Sequence, residues 1–216
     1  MNLGWGMNGM GEQILRHVYQ VRSRFQKDFT YLEIGVADGQ TLAAVTVELG
    51  KLGRGWRSVG VDLPNGYSLN KDNIAQNCLG QHLALSIRTP IGTESVDPEW
   101  NKVTVYLDNS HTFVPSYWYA PVHLALIDAC HCLDCAALDF LEIEKHIVVG
   151  GVVMFHDFGE DDVGQRQPWG HKDGDVRGAC RELGLLDGKR EQWIWIDTVR
   201  HTLPGTNDMG IFQKTA

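Results

Sequence analysis

The feature that most constrains this chain is a short apolar run that recurs along it, usually closed by an aspartate and followed by helical spacing. WRSVGVDL carries Asp62 near its end, VTVYLD ends at Asp108, VHLALIDA carries Asp128 and VVMFHD ends at Asp157. An earlier run, TYLEIGVA at residues 30–37, leads into a glycine-containing turn. Helical periodicity separates the runs: Ile14, Val18, Val21 and Phe25 mark an opening helix over about residues 12–26. Leu42, Val45 and Leu49 mark a second that Gly50 stops, and Ala136, Phe140, Ile143 and Ile147 mark a third. Strands that are apolar throughout and alternate with helices imply a parallel sheet buried on both faces. The ending breaks the pattern, because WIWIDTV (193–199) and MGIFQK (209–214) have no helix between them and should form an antiparallel hairpin.

The expected fold is therefore α/β: a Rossmann-like, seven-stranded, mostly parallel sheet with helices on both faces and an antiparallel C-terminal hairpin. At 216 residues the chain suits one core, and we read residues 1–216 as one domain with an N-terminal arm and helix (1–28) and a lid or acceptor region (159–192). Residues 63–101 and 159–175 show no regular periodicity; the second, polar and glycine-rich, is expected to form an active-site loop or a solvated surface loop. A net charge of -8 and the lack of a basic stripe argue against nucleic acid as a partner. No apolar run is long enough to span a bilayer, and the first residues, MNLGWGMNGMGEQ, do not resemble a signal sequence. Five cysteines, three of them crowded at Cys130, Cys132 and Cys135, are not a secreted disulfide framework. A cytoplasmic protein with no membrane and no nucleic-acid partner is expected; a homo-oligomer is left open.

In open parallel sheets ligands bind beyond the carboxyl ends of the strands. Gly35 and Gly39 bracket the first strand-to-helix turn, where missing side chains would let a ligand approach the backbone. A dinucleotide site would need G-x-G-x-x-G, yet Ala37 stands at the second glycine, and Glu33 and Asp38 would repel a pyrophosphate. The same acids suit an ammonium or sulfonium. Asp62 stands where an acid accepts hydrogen bonds from ribose hydroxyls, or else starts the turn Leu-Pro-Asn-Gly that follows it.

These segments together resemble the class I S-adenosylmethionine-dependent methyltransferases, in the version seen in the small-molecule (catechol, sugar and antibiotic) O-methyltransferases. Tyr31-Leu32-Glu33-Ile34-Gly35 with Gly39 resembles the family's cofactor loop, Val59-Gly60-Val61-Asp62 its ribose strand, and Leu107-Asp108-Asn109-Ser110 its turn beside the adenine. Ile127-Asp128-Ala129-Cys130-His131 and Gly150-Gly151-Val152-Val153-Met154-Phe155-His156-Asp157 resemble two further segments. The resemblance implies S-adenosylmethionine as cofactor, contacted by Glu33, Gly35, Asp38, Gly39, Asp62, Asn109, Ser110 and Asp128. The first 28 residues and residues 159–192 match nothing in it and are where acceptor choice is expected to lie.

Asp128 and Asp157 should end neighbouring strands, and two carboxylates suit Mg²⁺ or Mn²⁺. Metal-dependent relatives place a third ligand, usually Asn, after the second aspartate, whereas this chain has Phe158; His156 or His131 would then substitute, favouring Mn²⁺ or Fe²⁺. Without a metal, Asp128 would contact the cofactor's amino group and His156 would be a buried, hydrogen-bonded imidazole. His156, and after it His131, is the candidate base, with Asp128 orienting the acceptor. Cys130, His131, Cys132 and Cys135 carry zinc-type donors, but neighbours at a strand end are expected to splay apart, leaving Cys132 and Cys135 to pack a helix start that Asp134 caps. Trp5, Met7, Met10, Trp169 and His171 either wall an apolar pocket or form surface contacts. A nicotinamide-dependent oxidoreductase on a related sheet, and a non-catalytic cofactor-binding module, are the alternative functions.

Overall fold

The computed structural model describes residues 11–64, 70–89, 99–118, 120–159, 176–200 and 208–216. The segments holding Trp5, Met7, Met10, Trp169 and His171 lie outside them, as does nearly all of the expected loop at 159–175. The chain opens with α1 (Gly11–Arg24), then β1 (Phe29–Ile34), α2 (Gln40–Lys51), β2 (Trp56–Asp62), α3 (Lys71–Gly80) and β3 (Leu85–Arg88). There follow β4 (Val103–Leu107), α4 (Ser110–Tyr117), β5 (Val122–Ile127), α5 (Leu133–Glu144), β6 (Ile147–Phe155), α6 (Val176–Glu182), β7 (Trp193–Val199) and β8 (Met209–Lys214). All eight strands form one sheet in the order β3-β4-β2-β1-β5-β6-β8-β7.

Pairing is parallel from β3 through β6, while β8 runs antiparallel to both β6 and β7. The α/β class, the mostly parallel sheet and the closing antiparallel hairpin are as expected. The count differs by one, because β3 adds an eighth strand at the edge beside β4. Its residues, LSIR, are only half-buried or exposed, so they lack the continuous apolar signal of a central strand. Ile147 is the first residue of β6 rather than the last of the third expected helix, since α5 stops at Glu144.

Strand side chains alternate between faces, and the two faces carry separate cores. Phe29 and Tyr31 of β1, Leu124 and Leu126 of β5, and Val152 and Met154 of β6 join α1, α2 and α3 on one side. Leu32, Ile34, Ala125, Ile127, Val153 and Phe155 join α4, α5 and α6 on the other. Helices on both faces explain why the central strands read as unbroken apolar runs. Strand order reverses between β1 and β5, so the crevice at their carboxyl ends is the place this topology offers a ligand.

Candidate active site

A cavity of about 310 Å³ opens at that reversal, lined by Gly35, Ala37, Asp62, Asn109, Ser110 and Asp128 among others. That size falls at the lower end of small-molecule sites. Its floor is the turn after β1. Gly35 has φ +87, and a Cβ there would lie 2.2 Å from the carbonyl oxygen of Asp128 and 2.6 Å from the Cα of Ala129. The glycine therefore makes room for the backbone leaving β5, in addition to any ligand. Gly39, at φ +77, precedes α2 and sits against Ile74.

Ala37 adopts φ 49, a left-handed conformation that costs a non-glycine residue roughly 1 kcal/mol or more. Asp62 holds it there. One carboxylate oxygen, Oδ2, accepts from the amides of Val36 and Ala37, each at 2.8 Å, and Oδ1 accepts from Leu63 at 2.7 Å. The acid expected to meet a ribose is thus the clamp of the turn after β1; the turn Leu-Pro-Asn-Gly that it was alternatively expected to start lies partly outside the described residues.

Asp38 accepts from the amide of Gln40 at 3.1 Å and from its side chain at 2.6 Å, beside the residues that line the cavity. Glu33 lies beneath the turn, 1% exposed, accepting from the Tyr31 hydroxyl at 2.6 Å. Burial pushes its carboxyl well above the ordinary range, and the charges of Asp128, Asp62 and Asp38 push the same way against the Tyr31 hydrogen bond. Four acids thus converge on one turn; among the described residues none is hydrogen-bonded to a lysine or arginine, and Asp128 is paired with the imidazoles of His131 and His156. A cation bound there relieves the repulsion, whereas a phosphate increases it.

On the adenine side that the resemblance implies, Asn109 caps α4 by accepting from the His111 amide at 2.9 Å. Ser110 donates to Asp139 at 2.5 Å, and His111 Nε2 lies 3.1 Å from the same carboxylate. The hydrogen bond it donates to Asp139 raises His111 above the usual imidazole range against its burial. Asp139 and His111 are cavity residues the sequence reading missed. A signal existed: Asp139 falls on the stripe of α5 set by Ala136, Phe140 and Ile143, and is buried there.

At the other end, the pairing of Ile127 with Phe155 puts Asp128 beside His156. Asp157 has φ 56, which reverses the chain and sends Phe158 into the core against Phe212 and Trp195. His156 Nδ1 lies 2.8 Å from Asp128 and 3.3 Å from Asp157, and His131 bridges the two aspartates through its two ring nitrogens. Burial alone would lower the His131 imidazole, but the two carboxylates outweigh it and push it up to about 10. His131 therefore carries its proton at neutral pH. The same aspartates raise His156 against its burial, and the imidazoles in turn hold Asp128 below the ordinary carboxylate range despite burial.

Ligand atoms of Asp128, His131 and His156 lie within 4.8 Å of one another, and beyond the 3.3 Å approach of His156 the buried Oδ1 of Asp157 has no hydrogen-bond partner among the described residues. This mixed oxygen and nitrogen set fits a divalent ion, and Phe158, turned into the core, contributes no donor to it. Imidazoles in the set suit Mn²⁺ or Fe²⁺ better than Mg²⁺.

The model of the methyltransferase domain family matches residues 32–158, from β1 through the second aspartate and Phe158. The chain belongs to the class I S-adenosylmethionine-dependent methyltransferases. Among solved structures it is similar to the O-methyltransferase TomG from Streptomyces achromogenes in complex with S-adenosylmethionine. Identity there is 15%, coverage 96% of this chain and 87% of TomG, and TM-score 0.59. It is similar also to the O-methyltransferase NovP, at 13% identity, 94% and 79% coverage and TM-score 0.62. The N-methyltransferase NodS from Bradyrhizobium japonicum WM9, bound to S-adenosylhomocysteine, matches at 12% identity, 100% and 94% coverage and TM-score 0.59. At these identities the likeness is one of fold. No curated protein matches the chain. Among the described residues no helix of this methyltransferase is long and apolar enough to cross a membrane.

Proposed function

We propose that this methyltransferase transfers the methyl group of S-adenosylmethionine to a hydroxyl oxygen of a small molecule, assisted by a divalent ion at Asp128 and Asp157. The observation that carries the cofactor assignment is the convergence of Glu33, Asp38, Asp62 and Asp128 on the turn after β1, where burial and mutual repulsion already raise Glu33. Asp62, Asn109 and Ser110 line the wall suited to the ribose and adenine, and Gly35 and Asp128 the wall suited to the amino-acid end. S-adenosylmethionine supplies an electrophilic methyl on a cationic sulfur, so catalysis is largely a matter of holding the acceptor in line with it.

Asp128 and Asp157 are the carboxylates placed to hold a divalent ion, and His156, 5% exposed, completes the set from beneath. Such an ion is a Lewis acid that orients a hydroxyl and lowers its pKa. His131, whose side chain is 32% exposed, is the imidazole that reaches solvent. Asp128 and Asp157 are what raise it, and were those carboxylates to hold a cation it would be placed to accept the acceptor's proton. TomG and NovP, both O-methyltransferases by name, support oxygen as the acceptor atom. The small-molecule acceptor, its recognition by residues 159–192, a single catalytic domain and a cytoplasmic setting without nucleic acid or membrane partners belong to the same reading.

The test is turnover with S-adenosylmethionine and a panel of phenol, sugar and amine acceptors, with and without chelator. Methyl transfer to a hydroxyl should vanish in excess EDTA and return with Mn²⁺, and Asp157→Ala should behave like chelation. Full turnover in EDTA, or by Asp157→Ala, would remove the ion from the mechanism; transfer confined to amines would remove the oxygen acceptor.

A further inference from the structure

The loop between β5 and α5 holds a second donor cluster with different chemistry. Leaving β5, the chain passes through Asp128, Ala129, Cys130 and His131 before Cys132, which occupies the N-cap of α5 in an extended conformation (φ -83, ψ 154). His131 turns to the two aspartates, and its neighbours Cys130 and Cys132 bring their sulfurs to 3.2 Å of each other. Cys135, one turn into α5, completes the group, so that all three Sγ atoms lie within 4.8 Å of one another. The expected splaying of neighbouring ligands thus separates His131 from the cysteines but gathers the cysteines themselves. Cys132 makes no side-chain capping bond, and Asp134, expected as the cap, lies inside the first turn.

We infer that Cys130, Cys132 and Cys135 form a thiolate site for a soft closed-shell cation of the Zn²⁺ class, set in the wall of the candidate cofactor cavity. Three sulfurs bound at about 2.3 Å from one tetrahedral centre stand about 3.8 Å apart, a spacing these side chains reach by small rotations. All three are half-buried, open to an ion from solution, whereas Cys78 and Cys180 are buried in the two cores. An all-sulfur set selects against Mg²⁺ and Mn²⁺, while the set at Asp128, His131 and His156 offers only oxygen and nitrogen. The two neighbouring clusters therefore take different ions. Cys130 and Cys135 line the same cavity as Asp62 and Ser110, so an ion on the sulfurs shares a wall with whatever that cavity binds. The inference stands on the sulfur geometry and does not depend on the methyl-transfer reading.

The experiment titrates the full-length protein, reduced with a phosphine and kept anaerobic, with Cd²⁺ while following the ultraviolet thiolate-to-metal charge-transfer band. The band should grow to one equivalent, be displaced by Zn²⁺ and be unaffected by excess Mn²⁺. Cys132→Ser should weaken Cd²⁺ binding at least tenfold, and Asp157→Ala should leave the band intact. Should Cys132→Ser fold poorly, alkylation of the wild-type protein gives an independent reading: Zn²⁺ should protect Cys130, Cys132 and Cys135 together, as located by peptide mapping. No charge-transfer band, a band retained in Cys132→Ser, a band lost in Asp157→Ala, or no protection by Zn²⁺ would each overturn the inference. So would a disulfide between any two of the three that persists in a glutathione buffer of cytosolic poise with Zn²⁺ present.

Discussion

Gly35 shows how closely the site is tied to single atoms. Its left-handed φ and the 2.2 Å that would separate an added Cβ from the Asp128 carbonyl oxygen leave no room for a side chain, because the obstruction is backbone. Gly35→Ala must therefore push the end of β5 away from the turn, moving Asp128 with it. The expected cost is about 3 kcal/mol or more of stability, combining positive-φ strain with a backbone clash, together with loss of cofactor binding. Calorimetric melting and ligand titration of this variant measure both; wild-type stability and affinity would show that the turn adapts. Asp62 is the second such residue, since one oxygen fastens Val36 and Ala37 and the other Leu63 while the residue lines the cavity, so its removal loosens the turn as well as the ligand contact.

At the scale of elements, the join between β1 and β5 is completed by a side chain. His123 Nδ1 accepts from the Thr30 amide at 3.1 Å, and its ring stacks on Phe29 with an edge toward Phe25. Burial, with help from Arg57 and Arg22, lowers this imidazole to about 4. It must stay neutral to accept that hydrogen bond. Because the folded value lies below the ordinary 6.5, the unfolded chain binds the extra proton between these limits. The stabilisation is complete above pH 6.5 and is lost as pH falls toward 4, by an amount on the order of 2–3 kcal/mol. His123→Asn keeps an acceptor without the titration, so its stability should decline less steeply across that window in denaturant titrations at several pH values; an unchanged slope would contradict the assignment.

The elements also show what the sequence could reveal. Strands β1, β2, β4, β5 and β6 were readable because both faces are covered, and the hairpin because its two apolar runs follow one another with no helical periodicity in the sequence between them. α3 and β3 were not: α3 buries only Ile74 and Cys78, and β3 is a half-covered edge. Weak burial leaves a weak pattern. The placement of Asp128 and Asp157 at the ends of neighbouring strands was legible because β5 and β6 each end in an apolar run closed by an acid. The inward turn of Phe158 was not, because it depends on the left-handed backbone of Asp157. The gathering of Cys130, Cys132 and Cys135 depends likewise on loop geometry, which has no period to read.

For the molecule as a whole, the fold brings acids from the ends of three strands, β1, β2 and β5, to the one crevice where strand order reverses. A chain of net charge -8 thereby concentrates negative charge around a cavity of cofactor size, an arrangement that attracts a cationic ligand and repels a pyrophosphate. The central claim is that this crevice binds S-adenosylmethionine. Titration calorimetry with S-adenosylmethionine, S-adenosylhomocysteine and NAD tests it directly: the first two should bind with one-to-one stoichiometry and NAD should give no heat above dilution. Asp62→Ala should weaken both by about 1.5–3 kcal/mol, as expected for lost hydrogen bonds to a charged acceptor. Tight binding of NAD with no response to S-adenosylmethionine or S-adenosylhomocysteine would contradict the account.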